Sequence, residues 1–146
     1  MADHPIIFVL NGPNLNLLGL REPEIYGSET LDDIAAQLDD RALALKLVID
    51  MRQSNHEGHL IDWLHEAQGC EAKAVLLNAG AFTHTSLALY DAIRSIKVPV
   101  IEVHLSNPHA REEFRQHSWV GKAAKGTICG FGGASYLLAL EAAALL

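Results

Sequence analysis

The stretch Pro5-Ile-Ile-Phe-Val-Leu-Asn11-Gly-Pro-Asn14-Leu-Asn-Leu-Leu-Gly-Leu-Arg21-Glu-Pro-Glu-Ile-Tyr26-Gly27 begins as a strand and ends as an unusually long connection. Pro5 to Leu10 is nearly all apolar and rich in β-branched side chains, without polar alternation. That pattern is required of a central parallel strand buried on both faces. Asn, Gly and Pro then take over. From Asn11 to Gly27 the connection is about 17 residues, longer than compact domains normally use, and loops of that length usually carry function.

Downstream, short β-rich runs alternate with amphipathic helical ones. Thr30 can cap a helix running to about Leu43, with Asp32 and Asp33 at its positive end. Leu45 to Arg52 reads as a second strand. Ser54-x-x-Glu57 has the form of a capping box for a helix over His56 to Gln68, which Gly69 ends. Ala74 to Asn78 is a third strand, and Thr83 or Thr85 starts a helix through about Ile96. Val98 to His104 is a fourth strand, Arg111 to His117 a short helix, Gly126 to Gly130 a fifth strand and Ser135 to Leu146 a last helix. The alternation predicts an α/β fold with right-handed crossovers and helices on both faces of a parallel sheet. A flavodoxin-like three-layer sandwich, five strands in the order 2-1-3-4-5, fits this number of units. Residues 1–146 are expected to form a single domain. Ligands of such sheets bind beyond the carboxyl ends of the strands, beside strand one.

Composition narrows the partners. Of the 146 residues 49% are apolar and 20% charged, and 11 Lys plus Arg against 18 Asp plus Glu leave a net charge of −7. An acidic chain without a Lys/Arg run is a poor candidate for nucleic acid or an anionic membrane. No apolar stretch reaches the ~18 residues of a membrane helix, and the N-terminus lacks the basic region of a signal peptide. Cys70 and Cys129 match no metal or redox spacing, and two cysteines make no disulfide framework. A reducing, cytoplasmic setting is expected, with Cys129 a small core residue.

Three polar clusters fall at the predicted crevice: Asn11 and Asn14, Asn78 to Ser86, and Glu102-Val-His104-Leu-Ser106. Side chains alternate along a strand, so Ile101, Val103 and Leu105 share one face while Glu102, His104 and Ser106 share the other. A Glu and a His at i and i+2 are costly to bury unpaired. Paired, a carboxylate orients an imidazole and favours the imidazolium, the form a general acid needs. An isolated Glu-x-His is more often an ordinary solvated strand end; the company of two further clusters reverses that preference toward the paired reading. In the long loop, a guanidinium ~4 Å from a tyrosine would contribute up to about 4 kcal/mol to its ionisation at an effective dielectric near 20, enough to make Tyr26 a base beside Arg21. The residues alone favour a Tyr26 that merely packs the loop and a solvated Arg21, since one Arg and one Tyr in a loop carry no specific signal. Arg111 and Arg115, four apart, would share one face of the short helix and suit an anionic or polyhydroxylated ligand, or else pair with Glu112 and Glu113. His56-Glu57-Gly58-His59 is one residue short of the zinc signature, and Leu60, Leu64 and Ala67 mark the buried stripe that leaves its histidines at the surface.

Taken in order, these blocks resemble type II 3-dehydroquinate dehydratases from end to end. The likeness lies in Asn11 to Gly27, in Arg52-Gln-Ser-Asn-His-Glu-Gly58, in Asn78-Ala-Gly-Ala-Phe-Thr-His84-Thr-Ser86, in Glu102 to Arg115 and in Gly130-Phe-Gly-Gly-Ala-Ser-Tyr136. The resemblance implies reversible dehydration of 3-dehydroquinate to 3-dehydroshikimate in the shikimate route to aromatic amino acids. It makes Tyr26 the base, kept ionised by Arg21, and assigns enolate stabilisation to Asn14, with a bound water. His104, held by Glu102, becomes the acid. It also implies ligand contacts at Asn78, His84, Leu105, Ser106 and Arg115, with Arg111 in support, and an Asp91 lent to the neighbouring subunit's site. A dodecamer of four trimers and independence of metal and organic cofactor complete the expectation.

Other classes need features this chain lacks at the decisive places. A phosphate-receiving regulator wants an acidic pair after strand one and an Asp ending strand three, where Asn11 to Asn14 and Asn78 stand. A flavin carrier wants a Ser/Thr/Gly loop in place of the Asn/Leu/Arg-rich one. A metal-dependent hydrolase would rest on His56 and His59 alone.

Overall fold

In the computed structural model, residues 4–20, 22–26 and 28–146 are described, Tyr26 by its backbone only. Among them, β1 (Ile6–Asn11), β2 (Val48–Gln53), β3 (Ala74–Asn78), β4 (Val100–His104) and β5 (Gly126–Cys129) form one sheet in the order β2-β1-β3-β4-β5. Every neighbouring pair is parallel. This is the flavodoxin-like order expected from the alternation.

Helices α1 (Pro23–Tyr26), α2 (Leu31–Ala44), α3 (Glu57–Gly69), α4 (Phe82–Thr85), α5 (Leu87–Ser95) and α6 (Trp119–Ala123) lie in the crossovers, and α7 (Ala134–Ala144) follows β5. On one face Ile7 and Val9 of β1 pack with Ile34 and Leu38 of α2 and Leu140 of α7. On the other, Phe8 and Leu10 meet Leu60 and Leu64 of α3 and Leu89 of α5. Each such side chain contributes about 1.5–3 kcal/mol on full burial. The two cores clamp the central strands and fix where their carboxyl ends emerge.

Local chemistry sets the boundaries. Thr30 Oγ1 accepts from Asp33 N at 3.1 Å and Asp33 Oδ2 accepts from Thr30 N at 3.0 Å, a reciprocal cap worth about 1 kcal/mol. The second strand starts at Val48 rather than Leu45, because Leu45 caps α2 and Lys46 turns the chain at φ 59°. Ser54 and Glu57 do not form the expected box. Ser54 Oγ instead accepts from His56 N at 3.0 Å and bonds His59 Nδ1 at 2.7 Å, while Glu57 takes the hydroxyl of Ser86. The helix expected from Thr83 to Ile96 is two helices, because Ser86 is extended between them and caps the second through Leu89 N at 2.9 Å. The expected helix over Arg111 to His117 is replaced by two 3-10 turns, Pro108–Ala110 and Glu113–Arg115. Asn107, whose side chain accepts from His109 N, and Pro108 start the first; Arg111, in extended conformation, ends it.

The long connection after β1 is partly ordered by the core. Leu15 and Leu18 are buried against the α2 and α7 face, and Leu15–Leu17 forms a 3-10 turn before α1. Gly12 is needed at its root: a Cβ there would stand 2.3 Å from the Ala79 carbonyl oxygen, since the ends of β1 and β3 lie side by side.

Candidate active site

Asn11 and Asn78 are register partners at the carboxyl ends of β1 and β3. Both are buried, so their amides need internal partners. Tyr136 of α7 supplies them: its hydroxyl donates to Asn11 Oδ1 at 2.6 Å and accepts from Asn78 Nδ2 at 2.8 Å. Asn78 Oδ1 also accepts from Gly80 N at 3.2 Å, and Asn11 Nδ2 donates to the Arg52 carbonyl at 2.9 Å. Asn14 follows in a left-handed conformation, φ 68°. Its backbone N–H donates to Asn55 Oδ1 at 3.0 Å, and Gln53 Nε2 donates to the same oxygen at 3.1 Å.

β4 supplies the ionisable pair. Val103 and Ile101 enter the α2 and α7 core, which turns Glu102 and His104 to the opposite face. There His104 Nε2 lies 2.8 Å from Glu102 Oε2, with Glu102 only 2% exposed. A carboxylate can only accept, so Nε2 carries the hydrogen and Nδ1 is the ring nitrogen left over. Ser118 Oγ donates to the same carboxylate oxygen at 2.5 Å and Thr127 Oγ1 donates to the other at 2.7 Å.

A cleft opens above these strand ends, lined by Asn14, Asn78, His84, His104, Leu105 and Ser106 together with Arg111 and Arg115. None of its described lining residues is acidic, which sets it apart from a chain of net charge −7. Such a lining suits an anion.

Three comparisons agree on the kinship. The family model described as Dehydroquinase class II matches residues 5–144. The chain is 62% identical over 136 residues to the 3-dehydroquinate dehydratase of Rhizobium johnstonii, covering 93% of each chain. It superposes on the type II dehydroquinase of Propionibacterium acnes with a TM-score of 0.93 at 44% identity, over 100% of this chain and 99% of that one. The type II dehydroquinase from Butyrivibrio crossotus gives 0.94 at 38% identity, over 97% and 99%. The chain belongs to the class II dehydroquinase family.

Electrostatics in this dehydroquinase centre on the buried pair. Burial pushes the Glu102 carboxyl up, but the hydrogen bonds from His104, Ser118 and Thr127 outweigh it and hold it below the ordinary carboxylate range. His84 is held below the ordinary histidine range, first by burial and then by nearby positive charge on His104 and Arg115. Its Nδ1 donates to the His117 carbonyl at 2.8 Å, which leaves Nε2 as its second ring nitrogen. Burial, with the charge of Glu102, also pushes the Cys129 thiol up. Cys129 is half-buried next to the histidine pair rather than part of the core as expected.

The dehydroquinase fold thus gathers Asn14, Asn78, His84, His104, Leu105, Ser106, Arg111 and Arg115 at one cleft, with Glu102 behind His104. The two arginines arrive from separate turns rather than from one helix face, and Glu112 pairs with Arg115 at 2.7 Å and with Arg111 at 3.8 Å. Asp91 lies on the exposed side of α5, outside the cleft. Arg21 lies outside the described residues, and so does the side chain of Tyr26, whose backbone ends α1.

Sequence reasoning missed Tyr136, Ser118 and Thr127. Thr127 was within reach, since β5 pairs in register with β4 and sets it opposite Glu102. Tyr136 gave a weaker cue, a hydroxyl in an apolar helix that must find a partner when buried. Ser118 gave none.

Proposed function

We propose that this cleft binds 3-dehydroquinate and expels water from it by anti elimination, giving 3-dehydroshikimate. As a type II 3-dehydroquinate dehydratase the chain is a hydro-lyase of the shikimate pathway. The observation that carries the site reading is the buried Glu102–His104 pair at the floor of a cleft lined by cations and amides.

Loss of water β to a ketone needs a base at the α-carbon, stabilisation of the enolate and an acid at the leaving oxygen. Tyr26, ionised beside Arg21, takes the α-proton, and the C–H electron pair becomes the enolate, held through Asn14 and a bound water. The pair then returns to form the ring double bond as the C1–O bond breaks. His104, oriented by Glu102, gives its Nδ1 proton to the departing hydroxyl. Phenolate has become phenol and imidazolium imidazole, so proton exchange restores both. The substrate is held by Asn78, His84, the Leu105–Ser106 backbone and Arg115, with Arg111 in support. Groups of the chain and one bound water fill every role in this scheme, which uses neither metal nor organic cofactor.

Residues 1–146 act in this reading as a single catalytic domain within a homo-oligomer, a dodecamer of four trimers, and Asp91 serves a neighbouring subunit's site. Apolar surface beside α2 and α7 supports association: Phe131 is 64% exposed and Leu138 45%. The enzyme works in the cytoplasm, where free Cys70 and Cys129 stay reduced. Among the described residues no helix is long and apolar enough to cross a membrane.

Kinetics of Tyr26→Phe and His104→Ala test the assignment of roles. Each is expected to lose orders of magnitude in kcat with an unchanged circular dichroism spectrum. Near-normal turnover in either would remove that residue from its role.

A further inference from the structure

Glu102 is held more elaborately than a simple partner for His104 requires. Both carboxylate oxygens are engaged: Oε2 by His104 Nε2 at 2.8 Å and Ser118 Oγ at 2.5 Å, Oε1 by Thr127 Oγ1 at 2.7 Å. Neither hydroxyl is there by chance of rotation. Thr127 is the β5 register partner of Glu102, so the sheet itself sets it on the same face. Ser118 Oγ accepts from Gly121 N at 2.8 Å, which commits its hydrogen to the carboxylate. Gly121 leaves the room: a Cβ there would stand 2.7 Å from Glu102 Oε1 and 3.1 Å from Ser118 Oγ. Three separate segments, β4, the α6 start and β5, thus converge on one carboxylate.

We propose that Ser118 and Thr127 are positioning residues for the dehydration, fixing the plane of the Glu102 carboxylate so that the His104 ring keeps Nε2 bound and Nδ1 aimed at the leaving oxygen. The inference rests on the reading of His104 as the acid. A carboxylate held by one bond alone can rotate about its last torsion and carry the imidazole with it. One held at both oxygens cannot, and the ring tautomer is fixed with it. Because Glu102 is 2% exposed, water is a poor substitute for a lost donor. The described titratable and charged groups lining the space around this carboxylate are His104 on β4, Cys129 on β5, His84 on α4, His109 and Arg115, and only His104 among them bonds it. Ser118 and Thr127 therefore provide its remaining described hydrogen bonds.

The test compares Thr127→Val, Ser118→Ala and the conservative Thr127→Ser with the wild type. It uses steady-state kinetics on 3-dehydroquinate across pH and nitrogen-15 spectra of the His104 ring in the free protein. Thr127→Val and Ser118→Ala are each expected to lower kcat about tenfold with KM within about twofold, the effect of one hydrogen bond to a charged group on the chemical step. The acidic limb of the kcat profile should move to higher pH, since Glu102 loses donors to its ionised form. Thr127→Ser should restore both. Recorded at alkaline pH, where the ring is neutral, the spectra should change from a single Nε2–H tautomer to a mixture in the two deletion variants. This readout needs no turnover and can be taken on Ser118→Ala if Thr127→Val folds poorly.

Unchanged kcat and pH profile in both variants, a loss that Thr127→Ser fails to restore, or identical ring spectra would each overturn the inference. His104→Ala separates the two levels. Wild-type turnover there sinks the acid reading itself. An inactive His104→Ala beside a fully active Thr127→Val and Ser118→Ala sinks only the positioning role.

Discussion

The Tyr136 hydroxyl donates to Asn11 Oδ1 at 2.6 Å, tying the last helix to the end of the first strand across 125 residues of sequence. Burial pushes this phenol well above the ordinary tyrosine range, only partly offset by the hydrogen bond from Asn78. It therefore stays a donor at any working pH. Through it the amides of Asn11 and Asn78, one at the root of the long loop and one in the cleft wall, share a single anchor.

Tyr136→Phe removes that anchor while keeping the ring. Asn11 Oδ1 and Asn78 Nδ2 then lose their partner in a buried setting, which should cost about 1–3 kcal/mol. The urea midpoint should fall, and kcat with it as Asn78 loosens. An unchanged midpoint would mean that the two amides find other partners.

Glu102→Gln should reveal a pH-dependent share of stability. The folded carboxyl titrates below its ordinary value of 4.5, so the stability it contributes is present above about that pH and lost as pH falls through the folded value. The difference in unfolding free energy between wild type and variant is expected to be wide near neutrality and to narrow in acid. Urea titrations at intervals from about pH 7 down to about pH 3 measure it, and a constant gap would contradict the account.

Borohydride added with substrate should leave activity intact. A Schiff-base route needs an amine in the cleft, and none of the described lining residues is a lysine. Irreversible loss of activity, dependent on substrate, would point to a covalent lysine intermediate instead.

Much of this architecture could be read from periodicity, because a two-sided apolar strand such as Pro5–Leu10 admits few placements in a sheet. The pairing of Glu102 with His104 followed from alternation along one strand. What escaped was what depends on competition between hydroxyls and helices. The pattern starts one helix at Thr83 or Thr85 and has Ser54 cap another; the fold instead breaks the first at Ser86, which caps its second part, and gives Ser54 to His59. Arg111 and Arg115 looked like one helix face, yet Pro108 and the Asn107 cap start a shorter turn that ends at Arg111. Ser118 reaches Glu102 from 16 residues away, a contact that no local pattern encodes.

The central claim is dehydration at this cleft by a phenolate base and an imidazolium acid. Its most direct test is the ultraviolet absorbance of the conjugated enone after 3-dehydroquinate is added to the purified protein, the wild type run beside Tyr26→Phe. A steady rise in the wild type and a rate lower by orders of magnitude in the variant are the predicted result. A flat trace in the wild type, or equal slopes in both, would contradict the account.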